Sequence, residues 1–579
     1  MGKRPKAIVI GSGISGWMAA ICLAEAGIDV DLVSNIERYQ ANSVCVQDGI
    51  GAALNTKGED DSDWKHFEET IYRGHFLGNQ EAVREMCKSA PPLVHLLTRM
   101  GAMFCRTREG FLELRQGLGS LYQRVVYAQD HTGKEVLYIL GEQVRYWQSQ
   151  GRIRCLDNWE FLSLLLDNRG ICRGILASYR PTLEIQIFRG EATLICTGGY
   201  AQLFATNTAS LSANGAALGA LFRQGLPLAN LEFVLSHPTT LCYPQKALLM
   251  GDALLAAGAK LWTYRQGEKW YFIENQYSHT ASLPLERLAK TVYNVIYLQN
   301  LGVEGSDSIG IYLDCTGLDK KIWLENQRIL QFCQKFLGVD PRHKPVLVHP
   351  AVYYCLGGIL VDKKHSTQIK GVFAAGEAAT LYHGAGVLGG NPLLSAIYGA
   401  TVASKSITEY LEGQSLGTFL GGDSQLQEQQ KRQQKWFSQQ GEENPFALWQ
   451  ELRQMMDKVA IARSERALLQ TREGIVQLRE RLGKAQLPDS SRDSNRSYFM
   501  ALQLENTLDL AEAFVACALS RKESRGAHWR LDFPQREDEE YLATSTICYD
   551  GLRVDYQKVE LPYLPPRPSL EDFDFQEEG

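Results

Sequence analysis

Gly11, Gly13 and Gly16, in the turn Gly11-Ser12-Gly13-Ile14-Ser15-Gly16, are the residues whose type and spacing speak most directly of chemistry. A GxGxxG turn lets the backbone approach a pyrophosphate, and the helix that follows offers N–H groups and a partial positive charge. The motif carries this meaning only between a strand and a helix. Lys6 to Ile10 is a short apolar run, Trp17 to Ala26 reads as an apolar helix closed by Gly27, and Asp29 to Ser34 reads as a second strand. That order makes the turn a dinucleotide cradle. Where an acidic residue often ends the second strand to hold a ribose, the chain has Ser34. Ribose recognition is then weaker than the full fingerprint predicts, or it uses the hydroxyl.

The elements that must position this cradle recur far downstream. Thr193 to Cys196 reads as a buried strand running into Thr197, Gly198 and Gly199. Gly371 to Ala375 reads as another strand, turning at Gly376-Glu377, and Asn391-Pro392-Leu393-Leu394 starts a second helix. A nucleotide fold resumed so late implies an insertion. The expected organisation is a discontinuous nucleotide-binding domain over 1–229 and 345–415, an α/β capping domain over 230–344, a helical domain over 425–535, and a C-terminal extension over 536–579. Within the helical part, the Gln-rich stretch from Leu426 to Gln440 reads as a solvated helix face, and the Pro- and acid-rich stretch near 565–578 as an extended tail.

Composition removes several function classes. At 579 residues with 45% hydrophobic and 22% charged content, the chain is a globular protein too long for one core. Its net charge is -6, and no Lys/Arg run marks a nucleic-acid or anionic-lipid surface. Thirteen cysteines without CxxC or Cys/His ligand spacing argue against a disulfide framework and against a zinc or iron–sulfur site. A reducing, cytoplasmic compartment is expected. The first strand begins too early to leave room for a signal peptide, and no apolar run reaches the roughly 20 residues of a membrane span. Any membrane association is expected to come through a partner.

These segments resemble the flavoprotein subunit of succinate dehydrogenase/fumarate reductase, in its succinate:menaquinone-type branch. The likeness continues in Ser43-Val44-Cys45-Val46-Gln47-Asp48-Gly49-Ile50, Asn55-Thr56-Lys57-Gly58, Trp262-Thr263-Tyr264 and Glu523-Ser524-Arg525-Gly526-Ala527-His528. It implies an α/β fold with a Rossmann-like FAD-binding domain, an inserted capping domain and a C-terminal helical domain. It also implies FAD as cofactor, an iron–sulfur subunit that takes electrons from the flavin, and a membrane anchor subunit that holds the assembly at the cytoplasmic face of the inner membrane. The segments that line the flavin in the family are matched at Gly49, Gly376, Glu377, His383, Asn391 and Leu393, although Pro392 replaces a serine.

The substrate residues implied by the resemblance are largely altered. His237, in His237-Pro238-Thr239, matches a histidine in a His-Pro-Thr turn. Gly251-Asp252 stands where the family has a hydroxyl residue and Glu, and Leu255-Ala256-Ala257-Gly258-Ala259 replaces an Arg-Gly-Glu-Gly-Gly stretch. The proton-shuttle arginine of a Pro-Arg-Asp turn corresponds to Leu285, a substrate histidine to Tyr353, and the last substrate arginine to Val387. Tyrosine donates one hydrogen bond but brings no positive charge. A bound dianion demands paired cations, so these losses bear on substrate directly. Arg287 could move into the vacancy left at Leu285, or Arg287 and Lys290 could form a solvated helix face. Asn42 stands before Ser43 where the family has the histidine that carries a covalent flavin, so FAD is expected to be held noncovalently.

The sequence leaves three functional readings. One is an active flavin oxidoreductase of this family, either a divergent succinate dehydrogenase or an enzyme for a less anionic substrate, with His237, Asp252 and Tyr353 in its pocket. Another is a catalytically silent, FAD-bearing subunit of a complex II-like assembly. The last is an aspartate-oxidase-like enzyme, which needs similar cations and is weakened by the same losses.

Overall fold

The computed structural model describes residues 4–37, 39–58, 60–243, 246–274, 283–305, 308–412 and 419–567. Its centre is a five-stranded parallel sheet in the order Val372–Ala374, Ala192–Ile195, Lys6–Ile10, Asp29–Val33, Ile153–Leu156. Ile10 pairs with both Val33 and Ile195, and Ile195 pairs with Ala374. The strands therefore end level, and the turns at Gly11, Ser34, Thr197 and Gly376 gather at one carboxyl edge, where open α/β sheets bind ligands. The first helix spans Ile14–Glu25, three residues earlier than Trp17, with Gly13 as an extended N-cap. Gly16 is thereby a helical residue. A Cβ on it would sit 1.9 Å from the Gly11 carbonyl oxygen, so glycine is what lets the turn fold back on the helix.

The inserted segment builds a mostly antiparallel sheet around Val234–Tyr243, Ile309–Asp314, Lys260–Arg265 and Val346–Cys355. The last of these strands, beyond residue 344, pairs with the first two and leads the chain back to the nucleotide fold. His237-Pro238-Thr239 is not a turn. It lies inside the Val234–Tyr243 strand, where the pairing shifts between His237 and Thr240. Pro238 has no N–H for the ladder, so the strand bulges there instead of reversing.

The charge-rich C-terminal part forms the helices Asp423–Ser438, Pro445–Asp457, Glu465–Leu482 and Arg496–Ser520. The first of them buries only Trp436, as its glutamines led one to expect. Beyond it, Ala543–Ile547 and Val554–Lys558 join a five-stranded sheet with Leu228–Ala229, Gly358–Leu360 and Ala379–Thr380. The expected tail lies, from residue 568 onward, outside the described residues. A fully buried ion network fastens this end of the chain. Arg521 meets Glu232 at 2.6 Å and Glu523 at 2.9 Å, and Arg525 meets Glu523 at 2.7 Å, all with wholly inaccessible side chains.

Candidate cofactor and substrate site

A cleft runs along the carboxyl edge of the parallel sheet. Gly11 and Gly13 from the first turn, Ser34 from the second strand end, Asn42 and Ser43 from the following 3-10 turn, and Thr197 and Gly198 line it. Gly376, Glu377 and Leu393 close the other side. The cradle fits a dinucleotide: the N-terminal turn of the Ile14–Glu25 helix opens onto it, and a Cβ at Gly13 would meet only Ser43 Oγ, at 3.3 Å, and Ala41 Cβ, at 3.9 Å. Thr197 Oγ1 is buried without a protein partner at the cleft wall, a hydroxyl available to a bound group. The Ser34 hydroxyl holds Ser12 Oγ at 2.8 Å and accepts the Ile36 amide at 3.3 Å. It therefore ties the phosphate loop to the second strand.

Glu377 accepts the Cys355 amide at 3.0 Å, and burial pushes its carboxyl up to about 7. Glu377 lines the cleft and keeps some accessible surface. A carboxyl raised above its ordinary value favours the fold while protonated, so its contribution is present at low pH and is lost as pH rises toward 7. Thermal midpoints of the flavin-free protein should accordingly fall relative to those of Glu377→Gln between about pH 5 and pH 7. A constant difference between the two proteins across that window would assign the group a different protonation behaviour.

Other residues assigned to the cofactor stand one layer behind the wall. Gly49 packs on the strand Gln123–Val126, where a Cβ would lie 2.0 Å from the Val126 carbonyl oxygen. Asn391 is buried between His66 Nε2, at 2.8 Å, and Thr70 Oγ1, at 2.9 Å, and so anchors the start of the Asn391–Glu412 helix. His383 Nε2 meets Ser395 Oγ at 2.9 Å, and burial lowers its pKa to about 4. Its ring stands edge-on to Tyr354, a cleft residue, at 5.6 Å. Gly16 acts through the helix, as described above.

Next to the cleft, His237 and Tyr353 stand on neighbouring antiparallel strands with ring centroids 5.7 Å apart. His237 Nε2 lies 2.7 Å from Asp252 Oδ1 at the start of the short Asp252–Ala256 helix. The Thr239 amide can only donate, and it reaches His237 Nδ1 at 3.2 Å. Nδ1 also lies 3.1 Å from the Thr239 carbonyl oxygen, so it accepts from the amide in the neutral ring and donates to the carbonyl in the protonated ring, and in both the Nε2 proton goes to Asp252. Tyr353, which also lines the cleft, donates to Asp48 Oδ2 at 3.1 Å. Burial first, then the Asp252 charge, hold the Asp48 carboxyl above its usual range. Asp48 keeps some accessible surface. Asp48 was not singled out by its local sequence.

Comparison with known proteins places this geometry. A family model described as an FAD binding domain matches residues 6–393, and one described as fumarate reductase flavoprotein C-term matches residues 449–570. The succinate dehydrogenase flavoprotein subunit of Bacillus subtilis is 38% identical over 571 residues, covering 97% of each chain. The chain belongs to the succinate dehydrogenase/fumarate reductase flavoprotein family. The fumarate reductase flavoprotein subunit of a Serratia strain is 28% identical and covers 96% of this chain and 95% of its own. Among solved structures, the FrdA chain of E. coli quinol fumarate reductase superposes with a TM-score of 0.90 at 26% identity, covering 98% of both chains. An adenosine-5-phosphosulfate reductase, at 18% identity and a TM-score of 0.78 over 97% of both chains, shares the fold.

Within this family the chain carries an FAD-binding flavoprotein fold, and its departures now have places. Leu285 and Val387, where arginines were expected, are 5% and 6% exposed and belong to the same apolar core. Arg287 and Lys290 do not form a solvated face, because both are buried on the Leu285–Tyr293 helix. That helix turns its polar groups inward: Glu286 lies 3.7 Å from His75 Nε2 and beside Gly386, with both carboxylate oxygens buried without a hydrogen-bond partner. Asn42 Oδ1 accepts the Ser210 amide at 2.9 Å, which spends its side-chain oxygen on the neighbouring loop. Among the described residues no helix is long and apolar enough to cross a membrane, and no group of three His, Cys, Asp or Glu could hold a metal ion.

Proposed function

We propose that this chain is the FAD-carrying subunit of a complex II-like assembly, exchanging electrons with an iron–sulfur partner held at the cytoplasmic face of the inner membrane by an anchor subunit. Its FAD is held noncovalently and it does not oxidise succinate at an ordinary rate. The observation that carries the reading is the aliphatic packing of Leu285 and Val387 at the two expected arginine positions, in a chain whose Asp252 charge lies close enough to Asp48 to raise its carboxyl. A dicarboxylate there would meet like charge where two guanidinium groups are needed, and unpaired burial of charge costs several kcal/mol by a rough estimate. The residues that act on a substrate in this reading are His237, Asp252 and Tyr353, with Arg287 contributing buried positive charge from the Leu285–Tyr293 helix. FAD bound in the cleft supplies a two-electron acceptor, and Gly11, Gly13, Thr197 and Glu377 hold it. The amide of Asn42 forms no bond to a flavin ring.

Acid precipitation followed by an anaerobic titration with succinate tests this. All flavin is expected in the supernatant, and the oxidised absorbance of the native protein should persist at saturating succinate. Flavin retained in the pellet, or bleaching by succinate, would overturn the reading.

A further inference from the structure

The second strand of the nucleotide fold ends without the acidic residue that usually holds a ribose, and the Ser34 hydroxyl does not stand in for it. That hydroxyl is already shared with Ser12 Oγ, at 2.8 Å, and with the Ile36 amide, at 3.3 Å. A carboxylate reaches the same place from another strand. Ser34 donates its amide to the Leu156 carbonyl at 2.9 Å and accepts the Trp159 amide at 2.8 Å, so the strand Trp159–Leu166 starts directly beside it. Glu160, the next residue, lines the cleft together with Ser34, Asn35 and Trp159. Of the described residues that line the cleft, only Glu160 and Glu377 carry carboxylates, and Glu377 is held by the Cys355 amide, beyond Tyr353 and Tyr354.

Glu160 is 5% exposed, and three separate elements orient its side chain. Gln503, on the Arg496–Ser520 helix, donates to Oε1 at 2.9 Å. Asn35 donates to Oε2 at 3.3 Å, and Arg180 Nη1 lies 3.8 Å from the same oxygen. Burial raises the carboxyl above its ordinary value, although Arg180, Gln503 and Asn35 each lower it. The donors present therefore do not offset what the carboxylate lost in leaving water, and its oxygens keep acceptor capacity for more. Ribose hydroxyls are such donors, and a dinucleotide fold presents them at this strand end.

We infer that Glu160 is the ribose-binding carboxylate of this chain, accepting from the adenosine 2′- or 3′-hydroxyl of FAD in place of the acid absent at Ser34. The C-terminal helical domain thereby takes part in holding the cofactor, because its Gln503 orients the carboxylate that does so. This goes beyond the function proposed above. It rests on FAD in the cleft and not on what the flavin does with succinate.

Titrations of the full chain, purified from flavin-depleted cells and followed by flavin fluorescence, test the contact with three ligands: FAD, an analogue lacking both hydroxyls of the adenosine ribose, and an analogue with hypoxanthine in place of adenine. The wild type is expected to bind the dideoxy analogue about tenfold or more weakly than FAD. Glu160→Ala should lose about tenfold for FAD and distinguish the two ligands by less than about threefold, since residue and hydroxyl report one contact. Glu160→Gln, which preserves the shape of the side chain, should fall between them and carries the comparison if the alanine variant does not fold. A purely structural Glu160 would weaken both ligands alike. Equal discrimination in the wild type and the folded variants, none in the wild type, or a Glu160-dependent loss confined to the hypoxanthine analogue would each overturn the proposal. Bleaching by succinate overturns the function proposed above and leaves this comparison unchanged.

Discussion

A Gly13→Leu variant should fold and purify with less than about a tenth of the wild-type flavin. At Gly13 an added Cβ has only Ser43 Oγ and Ala41 Cβ for neighbours, so the chain tolerates it, but the rest of a leucine projects into the cleft where the pyrophosphate must approach the backbone. Gly16→Val provides the contrast. Its Cβ would overlap the Gly11 carbonyl oxygen, so that change damages the turn itself and should reduce soluble yield along with flavin. The ratio of flavin to protein absorbance, read beside circular dichroism, separates the two. A Gly13→Leu protein that keeps a full complement of flavin would show that the cofactor does not lie along this turn.

Glu232→Ala should be the most destabilising single change away from the cleft. It would leave Arg521 buried with its 2.6 Å partner gone, and Ser545 would lose the carboxylate that its hydroxyl reaches at 2.8 Å. Removing one member of a buried ion pair costs about 3–5 kcal/mol, because the remaining charge cannot return to water. Glu523 still touches the guanidinium, at 2.9 Å, which places the expected loss near the lower end, about 3 kcal/mol. Unfolding of a chain this size is not a single transition. The effect should therefore be sought as a lowered midpoint and earlier proteolysis of the 521–558 region. Glu232→Gln should be milder, and equal midpoints for the alanine variant and the wild type would contradict the account.

What could be read from the sequence was what is local. Strand, glycine turn, helix and strand lie within the first 33 residues, and the structure reproduces them with only the helix start shifted. The Asp423–Ser438 helix was legible for the same reason, since a Gln-rich face with few apolar positions has nowhere to be but in water. The resemblance supplied His237, Asp252 and Tyr353, and the structure brings these three together. Asp48 escaped notice because its significance depends on Tyr353, 305 positions away, and nothing in Gln47-Asp48-Gly49 announces that contact. Arg287 and Lys290 were equally illegible. Charged residues on a short helix read as a solvent face, whereas this helix packs between the inserted sheet and the flavin-binding fold, so its polar side also lies inside. The bulge at Pro238 follows from a rule that was available, because a proline inside a strand breaks its ladder.

The two strands that carry His237 and Tyr353 hydrogen-bond to each other, and one of them continues directly to Cys355, whose amide is held by Glu377. The histidine and the tyrosine therefore have almost no freedom to move relative to one another or to the flavin wall. Asp48 and Asp252 belong to other elements, a loop and a short helix. The aromatic pair is thus a fixed frame, and the two carboxylates reach it from elements outside the sheet.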